Sequence, residues 1–336
     1  MTNEQTGTRA QEAGGLQGRA EELTTANVLR LLGAGASGAI LMALGDGPLR
    51  TKELTERIDG YAPRTIYRYA TRLTEIGVIE REEERGVPSK VVHSLSEPAG
   101  RELHDLVDAY AKASLSRLPS GEIGASEWGS LALVADLWES GMIDELNLGP
   151  KSSTELARGE HGWSFHQVSR RAGLFAQGGF VTEASEGGRR RYALTEKARR
   201  VMALIAGIGR WRRRHVVPSG MTGLTAGEVG GLMRTVLPLV SLPEHGGKSF
   251  EIEIVAGGNN GAENEWVLAR VGGDGAIANH LVPDGAVDGS VRGKVAAWVD
   301  SVLDGPHEDL DFRGDVSLLE DCLQRLHLTL WRNGQE

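Results

Sequence analysis

Three arginines stand four residues apart, Arg64, Arg68 and Arg72, with Thr65, Tyr67 and Thr71 among them. On a helix this spacing gathers all three on one face. A guanidinium can bond guanine O6 and N7 in a bidentate way, worth about 1–3 kcal/mol of discrimination, and a helix fits the major groove of DNA. Tyr67 and Thr71 offer contacts to phosphates or thymine methyls. A second set lies downstream, with His166, Gln167 and Arg170 as base-reading candidates and Arg189, Arg190 and Arg191 as a phosphate or minor-groove clamp. Arg81, Arg85 and Lys90 would meet the backbone, which positions a fold without reading sequence. Double-stranded DNA is the partner this chemistry implies. The alternative is a solvated helix face, which also carries arginine.

Both sets belong to one repeated pattern. An offset of 102 carries Gly47-Pro48 onto Gly149-Pro150, Glu53-Leu54 onto Glu155-Leu156, Gly60-Tyr61 onto Gly162-Trp163, Ile66 onto Val168, Arg68 onto Arg170, Leu73 onto Phe175 and Gly77 onto Gly179. Such a long period suits tandem small domains rather than a solenoid. In the first copy, Val28–Leu32 and Ala39–Leu44 read as helical, Thr51 as the cap of a short helix, and Pro63 as the start of a third. Ile66, Tyr69, Ala70 and Leu73 form that helix's inner face. Strands are expected at Val78–Arg81 and Val91–Leu95. The second copy repeats the order, with helical segments over Trp128–Leu148, Ser153–Gly159 and Ser164–Gln177. Its strands are Phe180–Thr182 and Tyr192–Leu194 around an arginine-rich loop, and a helix over Glu196–His215 follows.

Helix, helix, turn, helix and hairpin is a winged helix-turn-helix order. The run Gly45-Asp46-Gly47-Pro48-Leu49-Arg50, then Glu53-Leu54, Arg64 to Gly77, Val78-Ile79-Glu80-Arg81, Val87-Pro88 and Leu95-Ser96 resembles an HxlR-type winged-helix transcriptional regulator. The second copy resembles a diverged relative. The resemblance implies a homodimer that places the third helix of each fold in a major groove. The chain departs from the family in lacking a cysteine near its N-terminus and a Lys-Trp pair before the apolar helix, where Ala36-Ser37-Gly38 stands.

Charge is segregated along the chain. The total is −9, yet residues 1–49, 50–101, 102–148, 149–215 and 216–336 carry −2, +1, −7, +9 and −10. Attraction to a polyanion depends on charge within about 8 Å, so the positive second copy can serve a nucleic acid despite an acidic chain. Arg210 and Arg212 to Arg214 suit either phosphate contact or helix capping, and Arg171 falls beside the inward stripe.

The remaining segment reads as a helix over Thr222–Leu242, strands over Ser249–Val255, Glu265–Val271, Ala276–Val282 and Ala286–Val291 in an antiparallel sheet, and helices over Lys294–Leu303 and Val316–Leu328. Val287-Asp288-Gly289-Ser290-Val291-Arg292-Gly293, Ala297-Trp298, Leu303-Asp304-Gly305 and Leu310 to Leu319 resemble a sterol carrier protein type domain. That family is built around a hydrophobic tunnel, which implies a place for an apolar small-molecule effector. Trp266, Leu281, Trp298, Val302, Leu319 and Leu323 are the candidate lining, with simple core packing as the alternative.

The fold expectation is mainly α with α+β: two tandem winged helix-turn-helix domains followed by an α+β sterol-carrier-like domain. The divisions are a disordered tail at 1–22, winged helices at 23–120 and 121–217, and a ligand-binding or assembly domain at 218–336. No HExxH, GxSxG or P-loop is present, the nine histidines are dispersed, and no enzyme, metal or cofactor is expected. Gly33 to Gly38 spells GxGxxG, but no strand precedes it, and close packing or a bend accounts for its glycines. One cysteine, Cys322, and a polar N-terminus point to a cytoplasmic protein without membrane attachment. The functional expectation is a ligand-responsive transcriptional regulator, of the repressor kind although no residue fixes the sign. The alternatives are a ligand-sequestering protein whose winged helices only dimerise and, further off, a small-molecule methyltransferase.

Overall fold

The computed structural model describes residue 16 and residues 19–84, 90–114, 125–159, 162–186, 189–219, 223–256, 263–280, 286–305 and 308–331. The chain divides into two compact units, residues 1–135 with 211–223 and residues 136–210 with 224–336. These borders differ from those at 120 and 217 read from the repeat. Trp128 and Trp211, which open and close the second copy, are both buried, and the Trp211 indole donates to the Ala99 carbonyl at 2.8 Å within the first unit.

In the first unit, α1 (Thr25–Gly33), α2 (Ser37–Leu44), α3 (Thr51–Arg57) and α4 (Pro63–Glu75) precede the hairpin β2 (Ile79–Glu84) and β3 (Lys90–Leu95), and α5 (Ala99–Ser114) follows. A short β1 (Leu49–Arg50) makes the sheet order β1-β3-β2. Thr51 is not the cap of α3. Arg50 holds that position, its N–H bonding the Glu53 carboxylate at 2.7 Å, while the Thr51 hydroxyl meets His93 Nε2 at 3.2 Å. Pro63 does begin α4, whose Ile66, Ala70 and Leu73 are buried and whose Tyr69 is half-buried.

The GxGxxG run forms the corner between α1 and α2. A Cβ on Gly33 would meet the Ala132 backbone nitrogen at 2.7 Å, and one on Gly38 the Trp128 ring at 2.3 Å. These glycines let helices approach closely, and no phosphate cradle is formed. Among the described residues no single helix is long and apolar enough to cross a membrane. The bent pair α1 and α2 passes by composition, but its Leu29, Leu32, Ile40 and Leu41 are core residues.

The first order of elements recurs. After α6 (Ala125–Glu139) and α7 (Met142–Asn147) come β4 (Lys151–Ser152), α8 (Ser153–Arg158), α9 (Phe165–Gln177), β5 (Val181–Glu186) and β6 (Arg189–Leu194), with sheet order β4-β6-β5. Gly77 and Gly179 take φ of 76° and 75° directly after α4 and α9. In both copies the chain then closes the same pair of bonds, Gly77 N to Thr74 O with Val78 N to Leu73 O, and Gly179 N to Ala176 O with Phe180 N to Phe175 O. This double bond pattern satisfies the helix's last carbonyls and requires a left-handed residue, which glycine supplies without strain. The expected helix over Glu196–His215 is two, α10 (Glu196–Arg200) and α11 (Met202–His215), with the break at Val201.

The C-terminal part begins with α12 (Ala226–Val236), capped by the Thr225 hydroxyl. It stops short of the expected Leu242 because Pro238 cannot donate a helical bond, and a 3₁₀ turn takes over at Leu237–Leu239. Strands β7 (Ser249–Val255), β8 (Glu265–Val271), β9 (Ile277–His280), β10 (Gly289–Lys294) and β11 (Asp311–Gly314) form a sheet of order β11-β10-β7-β8-β9. It is not purely antiparallel, since β10 runs parallel to β7, pairing Val291 with Ile252. α13 (Val295–Asp304) and α14 (Val316–Trp331) complete a mixed helix and sheet architecture.

Candidate nucleic-acid interface

Helix α4 buries one stripe and turns the opposite face outward. Arg64, Arg68 and Arg72 are all exposed, as is Tyr67 at 53%. Among the described residues none of the three arginines is held by a carboxylate; the Arg68 guanidinium rests over the Tyr69 ring at 4.9 Å. The hydroxyl of Thr71 donates to the Tyr67 carbonyl at 3.0 Å, so its proton is committed to the helix, and Thr65 is half-buried. In the hairpin, Arg81 pairs with Glu83 at 2.8 Å, while Lys90 is exposed at the start of β3. Arg85 lies outside the described residues.

The hairpin is fixed to the helices by a buried histidine. His93 stands opposite both Leu49 and Arg81 in the sheet and binds Thr51 of α3. Burial, and then the charge of Arg81, lowers its pKa, so the neutral ring is the folded form. Behind it, α5 is tied to the end of α11. Glu102 accepts from Arg214 at 2.8 Å and bonds His215 Nε2 at 2.7 Å. Burial pushes the Glu102 carboxyl up, but those two partners outweigh it and hold the group below its ordinary value. Arg212 donates to the carbonyls of Leu23 and Gly223. Arg212 and Arg214 thus fasten other segments of their unit, a role distinct from both the helix capping and the phosphate contact read from sequence.

The second copy places its candidates differently. His166, Gln167 and Arg170 are exposed on α9, as expected. Gln167, however, completes a capping box: its Oε1 accepts from Ser164 N at 2.9 Å, and its own N–H donates to the Ser164 hydroxyl at 3.3 Å. Arg171 lies over the Trp163 ring at 5.5 Å. The arginine triplet does not occupy a loop, because β6 begins at Arg189. Arg190 pairs with Glu183 at 3.3 Å, and Arg191 donates to the Pro150 carbonyl at 2.7 Å and approaches Glu155 at 3.5 Å. Of the Arg189 side chain nothing is described.

Of the effector candidates, Trp298, Val302, Leu319 and Leu323 are buried, the Trp298 indole donating to the Glu253 carbonyl at 3.2 Å. Trp266 does not join them. Its neighbours Val267, Ala269 and Val271 point inward, so strand alternation turns Trp266 to the outer face, where it is 49% exposed. Leu281 lies outside the described residues. Glu244, His245 and Asp321 bring three metal-type donors within 4.8 Å of one another. All three are already engaged by protein, His245 Nε2 bonding Asp321 at 2.8 Å and Arg325 pairing with Glu244. Cys322 is buried, and that burial pushes its thiol up to about 12, which leaves it unreactive at neutral pH.

No curated protein and no solved structure matches the chain. Residues 31–118, which carry α4 and the first hairpin, match the family model described as HxlR-like helix-turn-helix, a family of DNA-binding transcriptional regulators.

Proposed function

We propose that the chain is a transcriptional regulator that binds promoter DNA through a winged helix formed by α1 to α5 and the first hairpin. α4 enters the major groove, and Arg81, Arg85 and Lys90 lie along the phosphates. The observation that carries this reading is the outward row Arg64, Arg68 and Arg72, three exposed guanidiniums on a helix whose other face is core. In this reading two copies of the chain pair on a two-fold site, and an apolar effector acts through the C-terminal interior around Trp298, Val302, Leu319 and Leu323. Such an effector shifts occupancy only by its differential affinity for two states of the protein.

Footprinting across the chain's own promoter at stated salt tests the reading. Specific protection is expected, and Arg64→Ala/Arg68→Ala is expected to abolish it, at about 1–3 kcal/mol for each base-reading arginine removed. The absence of specific protection by the unaltered chain near 50 mM salt would overturn it.

A further inference from the structure

We infer that base reading is confined to the first copy, and that the second copy has given up its nucleic-acid role to become a joint with the C-terminal domain. This inference rests on the reading proposed above and narrows it to one reading head per chain.

The first support is residue for residue. The offset of 102 places His166, Arg170 and Leu174 where Arg64, Arg68 and Arg72 stand in the first copy. A row of three cations has become a row with one. Leu174 is 44% exposed, and Phe165, which takes the place of Pro63, is 53% exposed. A leucine in the place of an outer arginine removes a phosphate or guanine partner and adds apolar surface to a face that would meet a polyanion. Gln167 has also lost the means to read adenine. Bidentate recognition of adenine needs the amide oxygen and nitrogen together. Here the oxygen is committed to the Ser164 N–H at the start of α9.

The second support explains where the positive charge went. Residues 149–215 hold an excess of +9, and residues 216–336 hold −10. Arg210 donates to both carboxylate oxygens of Asp304, at 2.7 and 2.6 Å. Arg199 donates to the Thr235 carbonyl at 2.8 Å, and burial lowers its pKa. Arg200 is shared between Glu196 and the Thr329 carbonyl. Asp304, Thr235 and Thr329 all belong to the C-terminal part of the same compact unit. The joint continues in neutral groups, with Asn147 Nδ2 donating to the Thr235 hydroxyl at 2.7 Å and Asn279 Nδ2 reaching the Asn147 carbonyl at 3.4 Å. Of the wing arginines, Arg191 is directed at the Pro150 carbonyl, while Arg190 pairs with Glu183 at the surface as Arg81 does with Glu83 in the first copy. Arg191, Arg199, Arg200 and Arg210, which would suit a phosphate track in sequence, serve as fastenings in the fold.

The test compares three full-length proteins on the footprinted promoter segment: the unaltered chain, Arg64→Ala/Arg68→Ala, and His166→Ala/Arg170→Ala/Arg190→Ala, with circular dichroism confirming that each is folded. The first variant is expected to lose specific protection. The second is expected to keep the same footprint, an affinity within about twofold, and the same slope of log K against log salt. A second-copy variant that weakens binding about tenfold, or that loses part of the footprint, overturns the inference while leaving the regulator reading intact. If the unaltered chain gives no specific protection, the regulator reading itself fails, and the inference fails with it. A slope about two units shallower in the second-copy variant would also overturn it, because each lost phosphate contact lowers the slope by roughly one.

Discussion

At the scale of single residues, His93 gives the first hairpin a pH dependence with a definite sign. Its folded pKa is lowered by burial and then by Arg81, so as pH falls through about 6.5 the unfolded chain takes up a proton before the folded chain does. Its contribution to stability is therefore complete above that value and is lost as pH falls toward the folded pKa. Unfolding free energies from urea titration at pH 7.5 and 5.5 should drop on acidification, by at most about 1.4 kcal/mol per pH unit for one proton. The drop should shrink in His93→Gln; an equal drop in both proteins would remove His93 as its source. Residue chemistry was only partly legible in the sequence. The outward row on α4 followed from spacing alone, whereas the engagement of Gln167, Arg190 and Arg191 depends on Ser164, Glu183 and Pro150, and residue type does not reveal whether a guanidinium faces solvent or a carbonyl.

At the scale of elements, glycine was the most readable signal. Gly77 and Gly179 mark the same left-handed turn in both copies, and the N–H groups of Val78 and Phe180 beyond them donate back to the Leu73 and Phe175 carbonyls. Replacing either glycine by alanine should cost about 1–3 kcal/mol, because the substituent is forced into a left-handed conformation. Gly173, within α9 and with open space around a Cβ, should behave in the opposite way, gaining about 0.5–1 kcal/mol as alanine. Denaturant titration of the three variants checks the sign inversion, and a loss at Gly173 would contradict it. Elements were harder to place where a local rule competed with a distant one. The strands of the second hairpin run longer than expected because cross-strand pairing from Val181–Leu194 out to Glu186–Arg189 overrides the loop-like composition of its glycines and arginines. Nor does any local pattern disclose that Gly289–Lys294 pairs in parallel with Ser249–Val255.

At the scale of the whole molecule, one order of elements occurs twice along the chain, but compactness follows other lines. Asn147 of α7, Thr235 of α12 and Asn279 of β9 form a polar cluster within one unit, with Thr235 fully buried and its hydroxyl passing a bond on to the Gly231 carbonyl at 2.7 Å. Thr235→Val keeps the shape and removes the hydroxyl, leaving the Asn147 donor without its acceptor, so a loss of about 1–3 kcal/mol is expected in urea unfolding. A neutral result would show that the cluster contributes packing alone. Such links, many residues apart in sequence, are invisible to any periodicity. The parallel pair in the C-terminal sheet carries a consequence for biosynthesis. Ser249–Val255 is the middle strand, yet one of its two neighbours is Gly289–Lys294, which the ribosome makes only after the β8 and β9 strands. While the chain is still being made, the nascent sheet therefore holds its middle strand with one edge unpaired until Gly289–Lys294 emerges to close it.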